Sequence, residues 1–142
     1  MARDIDGVKK RIHEVIGDRI TDSKAARESH GSSEAYQTLR APDLVAFPES
    51  TAEVAAIVRI CSDARIPIIP FGAGTSLEGN ATAPLGGLCV DLTRMDRVLA
   101  INAEDLDVRV QPGITRKKLN GQLRDTGLFF PIDPEAMLRL AE

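Results

Sequence analysis

Tryptophan is absent from this 142-residue chain, and aromatic residues make up only 4% of it. Histidine and cysteine each occur twice, without the paired spacing of a metal site, so no metal is expected. We interpret Cys61 and Cys89 as small buried residues in a reducing compartment. His13 and His30 have no acidic or cysteine partner at ligand spacing, and we assign them no role.

Long hydrophobic runs are also lacking. The longest, residues 66–71, contains prolines and is far shorter than the roughly 20 residues of a membrane span. The N-terminus has no signal-peptide core, so we expect a cytoplasmic protein. The net charge of −3 provides no general attraction to nucleic acid, and the basic clusters at 9–11 and 116–118 are interpreted as solvated helix faces.

What is present is the composition of a globular protein, with 43% hydrophobic and 27% charged residues and the length of one domain. An N-terminal helix is predicted, because apolar residues recur at helical spacing between a capping Asp4 and a terminating Gly17. Residues 21–40 are polar and serine-rich and predict short helix and loop. The apolar residues of the first helix are Ile5, Val8, Ile12, Val15 and Ile16.

The segment from 44 to 70 predicts a strand, a helix and a second strand, an arrangement that normally forms a parallel crossover. The strands are Leu44–Phe47 and Ile66–Pro70. Ser50 and Glu53 have the spacing of a capping box. The helix that follows has an apolar stripe of Val54, Ile57, Val58 and Cys61.

The remainder predicts a strand at Leu88–Leu92, then an antiparallel hairpin of Arg97–Asn102 and Leu106–Gln111. A last helix is expected between the N-cap Thr115 and a terminating Gly127. The predicted fold class is therefore α/β (α+β), a small parallel sheet covered by helices and followed by antiparallel strands.

The loop "IIPFGAGTSLEGN", residues 68–80, has three glycines directly after a predicted strand. Such a loop either aims main-chain amides at a ligand, often phosphate, or is a mobile surface loop. It lacks the terminal Gly-Lys-Ser/Thr of a Walker loop. It also lacks the third glycine of a Rossmann fingerprint, since Leu77 occupies that position and no helix begins inside the loop.

Residues 42–134 resemble the start of the FAD-binding domain of FAD-linked oxidases, the superfamily of vanillyl-alcohol oxidase and p-cresol methylhydroxylase. The branch with D-lactate dehydrogenases and the glycolate oxidase D subunit is the most similar. "PFGAGTSLEG", "VQPG" and "FFPIDP" carry the resemblance, in order and spacing. It implies an FAD pyrophosphate loop at Pro70, Phe71, Gly72, Ala73, Gly74, Thr75, Ser76 and Leu77, closed by Gly79 and Asn80, with further cofactor-binding turns at Pro112, Gly113, Asp133 and Pro134. Pro112 and Gly113 are equally compatible with a simple strand-to-helix turn.

Members of the superfamily with covalent flavin carry histidine at the position of Thr75. The resemblance therefore implies non-covalent FAD here. It identifies no catalytic residue within this segment.

Three segments are predicted. The residue pattern indicates an N-terminal helical segment at 1–41, and the resemblance implies the first half of an FAD-binding domain at 42–134. The tail at 135–142 departs from the family, and its pattern predicts a short amphipathic helix. The glycine segment and the substrate domain expected after Pro134 do not follow. Two functions stay open. One is the FAD-binding portion of an oxidoreductase acting on a small 2-hydroxy acid such as D-lactate or glycolate; the other is a truncated, non-catalytic module that binds a nucleotide or a partner. We expect 1–142 alone to be inactive, to hold little FAD, and to form an oligomer or bind a partner chain.

Overall fold

The computed structural model describes residues 3–32, 40–76 and 79–132. It has the predicted mixed α/β class and divides into two compact units, residues 1–94 and 95–142. No helix in the described ranges is both long and apolar enough to cross a bilayer. In chain order the elements of the first unit are α1 Ile5–Ile16, β1 Ile20–Thr21, α2 Lys24–Ser29, β2 Leu44–Ala46, α3 Thr51–Ala64, β3 Ile68–Phe71 and β4 Leu88–Asp91.

The first unit is built on a four-stranded sheet with the order β1-β2-β4-β3. Strands β2 and β3 both pair with β4 in parallel, so that Leu44 and Ile68 are each aligned with Leu88. The predicted parallel relationship of the two strands is confirmed, but β4 lies between them. The short edge strand β1, which the sequence pattern did not reveal, pairs antiparallel with β2.

The core of the first unit lies between the sheet and the helices α1 and α3. Side chains alternate along a strand, so Leu44 and Ala46 of β2 join this core while Val45 is buried on the opposite face. Two predictions about the helical stripes were wrong. Val15 and Val58 are 37% and 43% exposed. The buried helical residues are Val8, Ile12 and Ile16 of α1 and Ile57, Ile60 and Cys61 of α3.

The helix starts follow the predicted capping residues. The Asp4 carboxylate accepts a hydrogen bond from the Gly7 amide at 2.9 Å, and Ser50 Oγ accepts from the Glu53 amide at 3.2 Å. The Glu53 carboxylate accepts from the amide of Glu49 at 2.7 Å, one residue before the N-cap. These bonds satisfy amides that have no partner inside the helix.

Strand β3 begins at Ile68, two residues later than predicted. The reason is local, since Pro67 has no amide hydrogen to donate to a ladder. The carbonyl of Pro67 still accepts from the Leu88 amide at 2.9 Å, so pairing with β4 starts from that atom.

The second unit contains the predicted antiparallel hairpin, β5 Val98–Asn102 and β6 Asp107–Val110, with an irregular register near Ala100. Leu106, predicted as the first residue of a strand, lies in the turn instead, with a φ of +57° and 76% exposure. Helix α4, Arg116–Leu123, starts at Thr115, whose hydroxyl accepts from the amide of Lys118. A 3₁₀ turn, Arg124–Thr126, ends at the left-handed Gly127, as predicted.

Candidate functional site

The glycine loop leaves the sheet at the carboxyl end of β3. Strands β2, β3 and β4 are parallel and therefore end at the same edge, which places Phe71 and Asp91 side by side in register. In open α/β sheets, ligands bind outside the carboxyl ends of the strands. The sequence-predicted loop thus begins where this architecture normally holds a ligand.

Gly72 and Gly74 differ in what a side chain would meet. A Cβ atom added at Gly72 would have no atom within 4 Å. At Gly74 the φ angle is +74°, which side chains disfavour, and an added Cβ would lie 2.8 Å from Cζ of Phe71. Gly74 is therefore required by the loop itself, whereas Gly72 leaves open space beside the main chain.

The amide groups of this loop are available to a ligand. Within the part of the chain that the structure describes, the main-chain N–H groups of Gly72, Ala73, Gly74 and Thr75 donate to no protein acceptor. Ala73 and Thr75 are exposed, while Gly72 and Gly74 are half-buried. Consecutive amides beside a positive-φ residue form a concave surface that suits an anion. The loop has the donor set for phosphate oxygens and carries no charged side chain at residues 70–76.

The other predicted residues of the loop lie on either side of this segment. Pro70 is exposed within β3, opposite Val90 of β4, and Ser76 is half-buried. Leu77 is outside the described residues. Gly79 has a φ of +76°, and its carbonyl accepts from the hydroxyl of Thr82 at 2.7 Å.

After the exposed Asn80, the chain returns to the sheet through a fixed turn at Gly86 and Gly87. The Asp43 carboxylate accepts from the Gly87 amide at 2.7 Å, and the Gly87 carbonyl accepts from the Asp43 amide at 2.7 Å. A Cβ at Gly87 would lie 2.4 Å from the Pro67 carbonyl oxygen, so only glycine fits between these segments. Both ends of the loop are therefore anchored.

His30, for which no role was predicted from the sequence, lies at the same edge of the sheet. Its Nε2 atom is 2.8 Å from Oδ2 of Asp91, and only 11% and 7% of the two side chains are exposed. The imidazole also lies against the ring of Phe71, with centroids 4.6 Å apart. The prediction of an isolated His30 was wrong, because its acidic partner is 61 residues away along the chain and only strand pairing brings it close. His13 is likewise paired, with Asp18 at 3.1 Å, on the exposed surface.

A charge network lies at the start of α3. Arg19 donates to both carboxylate oxygens of Glu53, at 2.8 and 2.6 Å, and this pairing lowers the pKa of Glu53 to about 2. Arg94 donates to Glu49 at 2.9 Å and lies over the ring of Phe47. These arginines are engaged by carboxylates of the protein itself.

The two cysteines are free and buried, as predicted. Burial raises the pKa of Cys61 to about 11 and that of Cys89 to about 12, so neither thiol is a nucleophile at neutral pH. Within the described ranges, no group of three His, Cys, Asp or Glu side chains is placed to hold a metal ion.

Pro112 and Gly113 form the turn between β6 and α4 in the second unit. The Gly113 amide donates to the carbonyl of Met95 at 2.8 Å, so this donor is already used within the protein. The local geometry is that of a strand-to-helix turn. Asp133 and Pro134, and the predicted helix after residue 135, lie outside the described residues.

Comparison with known proteins agrees with the resemblance. The family described as "FAD binding domain" matches residues 42–139. The chain belongs to this FAD-binding domain family. FAD is the cofactor of such domains.

Two curated relatives of the FAD-binding domain lie in the expected branch. The chain is 48% identical over 133 residues to the probable mitochondrial D-lactate dehydrogenase of Danio rerio, covering 93% of this chain and 27% of the relative. It is 37% identical over 133 residues to glycolate oxidase subunit GlcD of Bacillus subtilis strain 168, covering 92% and 28%. The chain thus spans about a quarter of the length of these relatives.

Solved structures confirm the fold. The 4-ethylphenol oxidase of Gulosibacter chungangensis matches with a TM-score of 0.79 and 28% identity, over 89% of this chain and 25% of the oxidase. p-Cresol methylhydroxylase matches with a TM-score of 0.72 and 20% identity, over 87% and 25%. The described fold is the FAD-binding subdomain of the p-cresol methylhydroxylase type.

Proposed function

We propose that this chain is the pyrophosphate-binding portion of a flavin-dependent oxidoreductase that acts on a small 2-hydroxy acid such as D-lactate or glycolate. The observation that carries the proposal is the row of amides at residues 72–75, at the carboxyl end of a parallel strand, which have no acceptor among the residues that the structure describes. The names of the D-lactate dehydrogenase and glycolate oxidase relatives support the substrate class.

In this proposal the main chain from Pro70 to Leu77, closed by Gly79 and Asn80, surrounds the two phosphates of FAD. The open space at Gly72 admits phosphate oxygens close to the amides. Pro112, Gly113, Asp133 and Pro134 are proposed as further cofactor-binding residues, and the FAD-binding segment is proposed to run from 42 to 134.

FAD is held non-covalently, because Thr75 cannot form the bond to the flavin ring that histidine makes at this position in the covalent members. Flavin absorbance that stayed with the denatured, precipitated protein would contradict this.

In the complete enzyme, oxidation of the acid to the 2-oxo acid would remove a hydride from C2 and a proton from the hydroxyl group, and FAD held by these residues would be the two-electron acceptor. The residues described here bind and orient the cofactor. None of them is assigned as the base that takes the hydroxyl proton.

A titration of ¹⁵N-labelled 1–142 with FAD and with ADP tests the proposal. ADP carries the same pyrophosphate without the flavin ring. We expect both to shift the amide signals of Gly72 to Thr75, with weak affinity, and we expect Gly72→Ala to weaken binding about tenfold or more by filling the open space.

The matched control is Gly121→Ala, on helix α4, where an added Cβ also meets no atom within 4 Å. This variant is expected to bind as the parent does. Unchanged loop signals at millimolar ligand, or equal binding by Gly72→Ala and the parent, would contradict the proposed function.

The alternative function is that of a non-catalytic module that binds a nucleotide or a partner. The observation that favours it is that the chain spans about a quarter of the length of the curated relatives. The reading frame beyond the codon for Glu142 separates the two. A frame that encodes a second glycine-rich segment favours the enzyme, and a native stop favours the module.

For location, we propose a reducing compartment, supported by the two free, buried cysteines. The cytoplasm is our proposal. The relatives from Danio rerio and Arabidopsis thaliana are named as mitochondrial, so cell fractionation with a mitochondrial marker is the test.

A further inference from the structure

Two aromatic rings and one imidazole meet at the carboxyl edge of the sheet in the first unit. The ring of His30 lies 4.6 Å from the centroid of Phe71, tilted by 52°, and 5.8 Å from that of Phe47, nearly edge-on. Phe71 is the last residue of β3, directly before Gly72. The imidazole therefore packs against the residue from which the glycine loop departs.

The His30 ring is fixed on both sides. Nδ1 lies 2.7 Å from the carbonyl oxygen of Ala26 and 3.2 Å from Oγ of Ser29. Nε2 lies 2.8 Å from Oδ2 of Asp91. Rotation about the ring axis would break both contacts, so the imidazole has one orientation.

Asp91 is itself held in place. Its second oxygen, Oδ1, accepts from the amide of Thr93 at 2.8 Å and from its hydroxyl at 2.5 Å. Asp91 ends strand β4, aligned with Phe71 of β3. The carboxylate thus ties the imidazole to the sheet, and the surrounding bonds leave it little freedom to move.

The Phe71 ring also contacts the glycine loop. The position of a Cβ on Gly74 is 2.8 Å from Cζ of Phe71, so the phenyl ring lies directly against the main chain at the residue with positive φ. If the phenyl ring moved, the main chain at Gly74 would lose this packing contact. The contacts run in a continuous series from Asp91 to His30, Phe71 and Gly74.

We propose that His30, oriented by Asp91, is a positioning residue for the anion-binding loop: it fixes the Phe71 ring and thereby the main chain of residues 72–75. This inference rests on the proposed function, because it names the residues that preorganise the same loop. An ordered loop binds more tightly because less conformational freedom is lost on binding. His30 does not itself contact the phosphates in this assignment.

The test compares His30→Leu, His30→Gln and Phe71→Leu with the control His13→Leu in the chain 1–142. Leucine removes both ring hydrogen bonds, whereas the glutamine amide retains a donor for Asp91. His13 is a matched control because it is exposed on α1, and among the described residues its side chain pairs with Asp18 alone.

Two measurements are made on each variant: ¹⁵N relaxation of the amides of Gly72 to Thr75 without ligand, and the affinity for ADP and FAD. In the parent and in His13→Leu we expect loop order parameters of about 0.85. In His30→Leu and Phe71→Leu we expect values falling below about 0.6 and an affinity about tenfold weaker. His30→Gln should recover part of both, which general destabilisation would not produce.

The outcomes separate this inference from the proposed function. If the parent binds neither ligand, the proposed function is contradicted. The positioning role of His30 is then tested by the order parameters without the affinities. If the parent binds and His30→Leu matches His13→Leu in both measurements, the inference is overturned and the function stands. If His30→Leu does not fold, His30→Gln and Phe71→Leu decide, and normal loop order in both variants overturns the inference.

Discussion

Arg19 and Glu53 form a two-pronged ion pair, with both guanidinium nitrogens within 2.8 Å of the carboxylate oxygens. The pair joins the entry to β1 with the first turn of α3, 34 residues later. Glu53 also accepts from the amide of Glu49, so its carboxylate is satisfied from two directions. The pair stabilises the packing of the strand and the helix start together.

This pair predicts a stability loss in acid. The folded pKa of Glu53 is about 2, below its ordinary value of 4.5, so the contribution is complete above pH 4.5 and is lost as the pH falls through about 2. The ion pair contributes at most about 3 kcal/mol to the free energy of unfolding. Solvent screening lowers this contribution, because 24% and 21% of the two side chains remain exposed. Urea unfolding of the parent and Glu53→Gln from pH 7 to pH 2 should show a difference at pH 7 that vanishes near pH 2.

Glu28→Gln is the control for that experiment. The Lys24–Glu28 pair is 3.8 Å apart and largely exposed, so its loss should change the free energy of unfolding by less than about 0.5 kcal/mol. A pH-independent difference between the parent and Glu53→Gln would contradict the assignment of the low pKa.

Ser50→Ala should cost about 1 kcal/mol of unfolding free energy, because Ser50 Oγ accepts from the otherwise unsatisfied amide of Glu53. Ser62→Ala, an exposed serine near the end of the same helix, is the control and should be close to neutral. Thermal or urea denaturation measures both. A melting curve of Ser50→Ala that coincides with the parent's would refute the capping role.

In the complete protein, Gly74→Val should abolish binding of FAD and ADP while leaving the sheet and helices of the first unit folded. The new side chain would meet Phe71 and would require a strained positive φ, so the loop itself must rearrange. We expect a stability loss of about 1–3 kcal/mol in addition. Flavin occupancy equal to the parent's would contradict the loop assignment.

Purified 1–142 should be colourless, inactive on D-lactate and glycolate, and self-associated. The resemblance places FAD between two glycine segments, and the fragment 1–142 contains one of them. Each 1.4 kcal/mol of lost contact energy lowers the affinity for FAD about tenfold. Phe129 and Ile132 are 72% and 61% exposed, and exposed apolar surface favours association. Light scattering should show oligomers that Phe129→Ser with Ile132→Ser reduces. A yellow, active monomer would refute the prediction.

The sequence by itself determined the features that depend on neighbouring residues. The capping residues Asp4, Ser50 and Thr115 start their helices as predicted, because each bond spans only three residues. The glycine loop was recognisable for the same reason, since the order of strand and glycines is a local pattern.

Only the tertiary structure decided the contacts between distant segments. Placing β4 between β2 and β3 required long-range pairing, and that order aligns Asp91 with Phe71 and brings Asp91 to His30. The exposure of Val58 and burial of Ile60 likewise depend on how α3 is rotated against the sheet. These relationships arise from packing across 20 to 60 residues of chain, for which spacing along the sequence carries no signal.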